Sequence, residues 1–161
     1  MPTFGLIADD LTGALDAGAG FVRAGLRAVL PTSGHPADAP QADVLLLNTA
    51  SREGDAAAAR RAATEAARRL RLAGISRVYK KIDSALRGHP GPELAGVLDV
   101  YGGRAVVAPA FPAQGRTTVG GVQLIHGRPA PAHGGSLRQA LAEVLERADL
   151  HDAAADDDLV R

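Results

Sequence analysis

The sequence predicts an α/β domain with a mostly parallel sheet of about five or six strands and helices on both faces, a Rossmann-like three-layer arrangement. Short apolar runs alternate with Ala-rich stretches, which is typical of strands alternating with helices. The run Val44–Leu47 is apolar at every position, as in a strand that is buried on both faces. The length of 161 residues fits a single domain, so residues 1–161 are taken as one unit.

The first half of the chain predicts three strands and two helices. Gly25 and Gly74 are suitable ends for these helices, because glycine adopts the left-handed conformation that often terminates a helix. Asp55 is a plausible N-cap for the second helix. The predicted strands are Thr3–Ala8, Arg27–Leu30 and Val44–Asn48, the predicted helices are Ala14–Ala24 and Asp55–Ala73, and a loop is predicted for Pro31–Pro40.

The second half predicts two more strands and two more helices, with a long loop between them. The strands are Arg77–Ile82 and Ala105–Ala108, and a helix near Pro92–Val100 separates them. After Pro109 the Gly, Pro and Thr content predicts an irregular loop. The last predicted helix is Ser136–Arg147.

Composition excludes several classes of protein. The absence of Cys excludes a disulfide framework, a thiolate zinc site and a Cys nucleophile. No apolar run approaches the ~20 residues that a membrane helix needs, and the N-terminus lacks a signal-peptide pattern. A net charge of zero favours neither nucleic acid nor an anionic membrane as a partner. We therefore expect a cytoplasmic protein whose core is thin, because about a fifth of its residues are Ala.

Polar residues follow the predicted strands at the points where the strands end. In an open α/β sheet the ligand lies outside the carboxyl ends of the strands. The segments concerned are Asp9–Gly13, Asn48–Arg52, Lys80–His89 and Pro109–Thr118. We expect a binding site at this edge.

Two adjacent carboxylates, Asp9 and Asp10, follow the first strand. Such a pair needs a cation, a polyol or a helix N-terminus nearby, since the two charges repel each other. The alternative is that one of them, or Thr12, only caps the next helix.

The fourth strand carries a second polar set. Alternation places Val78 and Lys80 on one face and Lys81 with Asp83 on the other. Lys81, Asp83 and Arg87 suit a carboxylate or phosphate ligand that bears hydroxyls. The alternative is an internal ion pair of Asp83 with Lys81 or Arg87, and Lys80 is equally consistent with a solvated position.

The segment from Pro109 to Gly121 offers Gln114 and Arg116 on a stiff loop, with a simple surface turn as the alternative. Other motifs fail. Gly18-Ala19-Gly20 falls inside a predicted helix, neither lysine follows a glycine as a Walker A lysine does, and the five histidines lack metal-ligand spacing. No metal site is expected.

Three stretches together resemble the signature segments of the four-carbon acid-sugar kinase family. They run from Ile7 to Ala14, from Lys80 to Gly88 and from Ala108 to Thr117, and the resemblance covers about residues 3–129. Members of this family phosphorylate threonate, erythronate or 3-oxotetronate with ATP. They combine an N-terminal acid-sugar-binding domain with a C-terminal nucleotide-binding domain.

The resemblance implies a substrate-binding site in this chain and the absence of the C-terminal nucleotide-binding domain. Asp9 and Asp10 would contact substrate hydroxyls, and Lys81, Asp83 and Arg87 would hold the carboxylate end. The remaining implied contacts come from Thr12, Ser84, Gln114 and Arg116. ATP and Mg²⁺ are implied by the family only, with the ATP site in the domain that this chain lacks. The isolated chain is therefore expected not to turn over ATP. Three alternatives stay open: a fragment of a longer kinase, one half of a split enzyme whose nucleotide-binding domain acts in trans, and a decayed remnant.

The chain departs from the family pattern in three places. Ala85 stands where the family usually has Thr, and His89 where it usually has Asn. Residues 130–161 resemble a shortened end, with an internal deletion around Ala130–Gly135. A thin core with this deletion predicts marginal stability or a homodimer. Two other readings stay open: a non-catalytic interaction or remnant domain, and a receiver-like signalling domain, although Asn48 stands where a receiver needs a phospho-accepting Asp.

Overall fold

The computed structural model describes residues 2–33, 39 and 41–159, so part of the predicted loop Pro31–Pro40 lies outside the described residues. The strands in this part of the chain are β1 (Phe4–Ala8), β2 (Ala28–Val29), β3 (Val44–Asn48), β4 (Arg77–Lys80), β5 (Ala105–Val107), β6 (Arg116–Val119), β7 (Val122–Ile125), β8 (Arg128–Pro129) and β9 (Ala148–Leu150). The α-helices are α1 (Leu11–Arg23), α2 (Ala56–Leu72), α3 (Pro90–Tyr101) and α4 (Leu137–Ala140).

The main sheet has four parallel strands in the order β2-β3-β1-β4. The register pairs Ala8 with Asn48 and Ile7 with Lys80, so β1, β3 and β4 end at the same edge. Both α1 and α2 begin at aspartate N-caps: Asp10 accepts a hydrogen bond from Gly13 N, and Asp55 accepts one from Ala58 N. These caps fix where the chain turns from strand or loop into helix.

Helices cover both faces of this sheet, as predicted. On one face Leu6, Ala8 and Leu46 pack against Ala14 and neighbouring residues of α1. On the other face Ile7, Leu45 and Leu47 pack against α2 and α3 through Ala63, Ala67, Leu70 and Val97. The alternation predicted for β4 is also present, because Val78 packs into the α2–α3 side and the Tyr79 ring meets Phe21 of α1.

The prediction that Ala105–Ala108 extends the main sheet is wrong. β5 instead pairs in parallel with β9, a strand that was not predicted, and the main sheet has four strands rather than five or six. A separate apolar cluster explains this arrangement. Val107 and Ala148 pack with Leu94 and Leu98 of α3 and with Leu141, so α3 joins two cores.

The prediction of an irregular loop after Pro109 is also wrong. A 3₁₀ turn at Pro112–Gln114 leads into β6, and β6, β7 and β8 form an antiparallel sheet. The link between β6 and β7 is Gly120-Gly121, and both glycines have positive φ angles of 59° and 73°. A two-residue hairpin turn of this handedness needs such angles, which glycine adopts without strain.

The predicted helix Ser136–Arg147 is shorter than expected. Only Leu137–Ala140 is α-helical, and Ala142–Arg147 continues as a 3₁₀ helix. The tighter winding places Leu137, Leu141 and Val144 in the second apolar cluster. Across the described residues, no helix is long and apolar enough to cross a membrane.

Candidate functional site

The carboxyl ends of β1, β3 and β4 open into one cavity of about 980 Å³. Eight of the nine side chains predicted for the site line it: Asp10, Thr12, Lys81, Asp83, Ser84, Arg87, Gln114 and Arg116. The ninth, Asp9, is only 3% exposed and lies beneath the cavity. The sheet register brings together the residues that follow β1 and β4, because these strands end at the same edge, whereas Gln114 and Arg116 follow β5, outside the main sheet.

Arg52 links the two aspartates that follow β1. Its Nε and Nη2 donate to the two oxygens of Asp9 at 2.7 and 2.9 Å, a two-pronged contact. Its Nη1 and Nη2 donate to the two oxygens of Asp10 at 2.7 and 2.9 Å. The hydrogen bonds that Arg52 donates to Asp9 raise the pKa of Arg52. The cation that the pair requires is therefore a residue of the segment after β3, which sequence reasoning placed at this edge without assigning it a role.

Asp10 also fulfils the capping alternative. Its Oδ1 accepts the Gly13 N–H at 2.8 Å, while Thr12 is exposed and does not cap α1. Gly13 is required for this close arrangement. A Cβ there would lie 2.5 Å from Asp10 Oδ1 and 3.4 Å from Lys81 Cδ.

Asp83 and Arg87 form the internal ion pair that was the alternative interpretation of this segment. Arg87 donates to Asp83 through Nη2 at 2.8 Å and Nε at 2.9 Å, and the backbone N–H groups of Ala85 and Arg87 donate to Asp83 Oδ2. Burial alone would raise the pKa of Asp83, but the hydrogen bonds from Arg87 outweigh it and lower the pKa to about 2. The Arg87 side chain stays 63% exposed, so this pairing leaves it accessible from the cavity.

Lys81 differs from the other charged groups of the cavity. Within the part of the chain that the structure describes, its ammonium has no hydrogen bond or ion pair at contact distance. Burial lowers the pKa of Lys81, and the nearby charges of Asp83 and Asp9 only partly counter this effect. An ammonium held beside a cavity without a partner favours an anionic ligand.

Lys80 is not solvated; it is part of a buried polar network below the site. Its Nζ lies 2.6 Å from Glu93 Oε2, and the two side chains are 4% and 2% exposed. Glu93 also accepts a hydrogen bond from Ser51 Oγ at 2.9 Å. The Ser51 and Thr49 hydroxyls lie 2.8 Å apart. This network ties β4 and α3 to the segment that carries Arg52.

Gln123 of β7 joins the two loops that border the cavity. Its Nε2 donates to Ser84 O at 2.8 Å and to Pro109 O at 3.4 Å. Its Oε1 accepts from the Thr118 hydroxyl at 2.6 Å, and both side chains are buried. The sequence analysis missed this residue. The one signal was an amide inside the otherwise apolar run Val122–Ile125.

Gln114 and Arg116 lie at the outer edge of the site. Arg116 Nη1 donates to the Gln114 carbonyl oxygen at 2.7 Å, which bends its guanidinium over the start of β6. Neither residue contacts the buried aspartates. The two positions that depart from the family pattern lie nearby: Ala85 contributes its backbone N–H to Asp83, and the His89 ring contacts Gly54 O at 2.5 Å.

These features define an α/β domain with a polar cavity at the carboxyl edge of a parallel sheet. Residues 4–136 match the family model described as "Sugar-binding N-terminal domain". The match spans most of the chain. The chain therefore belongs to this family, the sugar-binding N-terminal domains of four-carbon acid-sugar kinases.

Two relatives are named as kinases of four-carbon acids. The D-threonate kinase of Cupriavidus necator is 46% identical over 132 residues, covering 77% of this chain and 30% of that kinase. The D-erythronate kinase of Heliobacterium modesticaldum is 41% identical over 129 residues, covering 77% and 29%. The chain thus spans about a third or less of the length of these curated relatives.

A solved structure from Bordetella bronchiseptica has the same fold. It is described as a domain of unknown function with bound citrate, crystallised as a domain-swapped dimer. The TM-score is 0.89 at 33% sequence identity, and the match covers 98% of this chain and 49% of that one.

Proposed function

We propose that this chain binds a four-carbon sugar acid of the threonate, erythronate or 3-oxotetronate type at the carboxyl edge of the main sheet. The ligand carboxylate would lie at Lys81 and Arg87, with Arg116 above it. The hydroxyls would meet Asp10, Thr12, Ser84 and Gln114, which offer acceptors and donors along one wall of the cavity.

The observation that carries the proposal is which charged groups of the cavity are paired with each other. Asp9, Asp10 and Asp83 already accept hydrogen bonds from arginines, whereas the ammonium of Lys81 has no carboxylate at contact distance among the described residues. A carboxylate ligand would supply that partner. The names of the relatives and the hydroxycarboxylate citrate in the Bordetella structure support the same ligand class.

Asp9 has a different role in this proposal from the one that the resemblance implied. Its side chain is 4% exposed and both oxygens are bonded to Arg52, so it supports the site from below. Asp10 is 26% exposed on its side chain and is the aspartate that a hydroxyl reaches.

The family implies ATP and Mg²⁺, and the described residues do not form a site for Mg²⁺. No cluster of three or more His, Asp or Glu side chains in residues 2–33, 39 and 41–159 has the arrangement of a metal site. The carboxylates of Asp9, Asp10 and Asp83 are bonded to Arg52 and Arg87. We therefore assign only the acid-binding step to this chain and expect these 161 residues alone not to turn over ATP. Phosphoryl transfer would need a nucleotide-binding domain, supplied in trans or by further sequence.

Isothermal titration calorimetry with D-threonate and D-erythronate tests the binding proposal. Lys81→Met should abolish the binding heat, because it removes the one ammonium that lies free in the cavity. Arg68→Met is the matched control: it removes one positive charge from the exposed face of α2, far along the helix from the site, and should leave affinity unchanged. A folded wild-type sample that gives no heat at millimolar ligand refutes the proposal.

A homodimer is a second proposal, supported by an apolar stripe on α1. Leu11, Leu15 and Val22 lie on one side of this helix and are 49%, 53% and 55% exposed. The Bordetella structure is itself a dimer. Light scattering after size-exclusion chromatography tests this: a monomer at all concentrations overturns it, and a dimer that Leu15→Glu dissociates supports it.

A further inference from the structure

Arg52 is held more completely by the protein than any ligand-contacting cation of this site. Four of its N–H groups donate to Asp9 and Asp10, and Nη2 also lies 3.7 Å from Asp83 Oδ1. The side chain is 13% exposed. A guanidinium has five N–H donors in a fixed plane, so almost none of its capacity remains for a ligand.

The same contacts make Arg52 the centre of a dense group of charges. Three carboxylates surround its guanidinium, while Lys81 and Arg87 lie at the border of the group. Without Arg52 the three negative charges would exceed the two positive ones. The site would then repel a carboxylate ligand, since charges that are partly removed from water interact strongly.

We infer that Arg52 is a positioning residue that makes this site able to accept an anion: it fixes Asp9 and Asp10 in place, offsets one of their two negative charges, and leaves the ligand to Lys81. This inference rests on the proposed binding of a sugar acid. It assigns a role to a residue whose own atoms need not touch that ligand.

The chain's connectivity supports such a role. Arg52 belongs to the segment after β3, and the Arg52 N–H also donates to the Asp9 backbone oxygen at 3.3 Å. The neighbouring Ser51 is bonded to the buried Glu93. The backbone around Arg52 is therefore bonded both to the segment after β1 and to α3. These contacts position the Arg52 side chain beside the two aspartates.

The test uses two ligands of nearly the same shape, one anionic and one neutral: D-threonate and its carboxamide, D-threonamide. Affinities are measured by calorimetry for the wild type, Arg52→Gln and the double variant Arg52→Gln with Asp10→Asn, with circular dichroism confirming that each sample is folded. Asn caps a helix as well as Asp does, so the second substitution removes a charge and keeps the cap of α1.

Arg52→Gln should weaken threonate binding on the order of tenfold or more, because one unit charge is lost near a partly buried anion. Threonamide binding should change much less. Adding Asp10→Asn should restore most of the threonate affinity, since it removes the excess negative charge. This pattern supports the inference.

Two other outcomes overturn it, and they are distinct. If Arg52→Gln weakens both ligands equally and Asp10→Asn restores neither, Arg52 has a structural role only. If the folded wild type binds neither ligand, the proposed function itself fails and the inference fails with it. If Arg52→Gln unfolds, Arg52→Lys keeps the charge, and a loss of threonate binding above that of threonamide in this variant also contradicts charge cancellation.

Discussion

Replacing Gln123 by leucine should loosen both loops of the site at once. Gln123 is fully buried and its amide reaches the Ser84 carbonyl, the Pro109 carbonyl and the Thr118 hydroxyl. Leucine fills nearly the same volume, so the variant creates little cavity and changes mainly the hydrogen bonds. The Lys81–Arg87 loop and the Pro109–Arg116 loop would lose their common anchor.

The expected cost follows from the groups left without a partner. The Ser84 carbonyl loses a bond of 2.8 Å, and the Thr118 hydroxyl, 1% exposed, loses one of 2.6 Å. A buried polar group left unpaired costs ~1–3 kcal/mol, and the Ser84 carbonyl, which is only partly buried, costs less than the Thr118 hydroxyl, so the free energy of unfolding should fall by about 2–4 kcal/mol. A domain with ~5–15 kcal/mol of stability would remain folded, although this chain's Ala-rich core places it toward the lower end.

Urea unfolding followed by circular dichroism measures this change, with the free energy taken from the midpoint and slope. Gln139→Leu is the matched control, because Gln139 is exposed and its side chain has no hydrogen bond among those described. The control should stay within ~0.5 kcal/mol of the wild type. A loss below ~1 kcal/mol for Gln123→Leu, or sugar-acid affinity unchanged in that variant, would refute the role of Gln123 as the anchor of both loops.

Three further predictions concern the charged residues. Threonate affinity should fall as pH rises through the lowered pKa of Lys81, at a pH below the ordinary lysine value of 10.5, and calorimetry of the wild type across a pH series should detect this fall; a constant affinity up to that pH would contradict the reasoning. The pKa of Asp83 is about 2 in the folded protein against an ordinary value of 3.8, so Asp83 should contribute up to ~2 kcal/mol to the free energy of unfolding. This contribution is present above pH 3.8 and is lost as pH falls toward 2. Acid unfolding of Asp83→Asn, followed by circular dichroism, should lack it. Lys80→Met should lower the free energy of unfolding in urea by ~3–5 kcal/mol, because it leaves the Glu93 charge buried without a partner. The double variant Lys80→Met with Glu93→Leu should recover most of that loss. Equal losses in both variants would contradict the pairing.

Local sequence signals predicted the elements whose ends they mark. Asp55 and Gly74 bracket α2, and the apolar run at Val44 gave β3 its observed bounds. The strand–helix alternation likewise predicted a parallel sheet with helices on both faces. Pairing of β5 was not predictable in this way. It depends on the apolar cluster that α3 and Leu141 form, and residues far apart in the chain build that cluster.

The candidate site divides along the same line. Lys81, Asp83 and Arg87 fall within seven positions and follow one strand, so their proximity could be predicted from the sequence. Arg52 and Gln123 could not be predicted, because their partners lie 43 and 39 positions away. Strand order and the β6–β7 hairpin decide which polar residues meet across such distances. The residues next to Arg52 and Gln123 in the sequence do not show these contacts.

The arrangement of charges explains why burial of so many ionised groups is compatible with a ligand site. Arg52 pairs with Asp9 and Asp10 and offsets one of their two charges, Arg87 offsets the charge of Asp83, and Lys80 offsets the charge of the deeper Glu93. Each pairing reduces the cost of burying its members, and it also removes them as competitors for an incoming ion. Among the described residues, the partly buried ammonium of Lys81 has no carboxylate at contact distance. Because its charged form is disfavoured by burial until an anion arrives, binding of a carboxylate would both satisfy the ammonium and favour its protonated state. A neutral polyol offers neither effect, so the proposed site should bind the acid more tightly than the corresponding sugar alcohol.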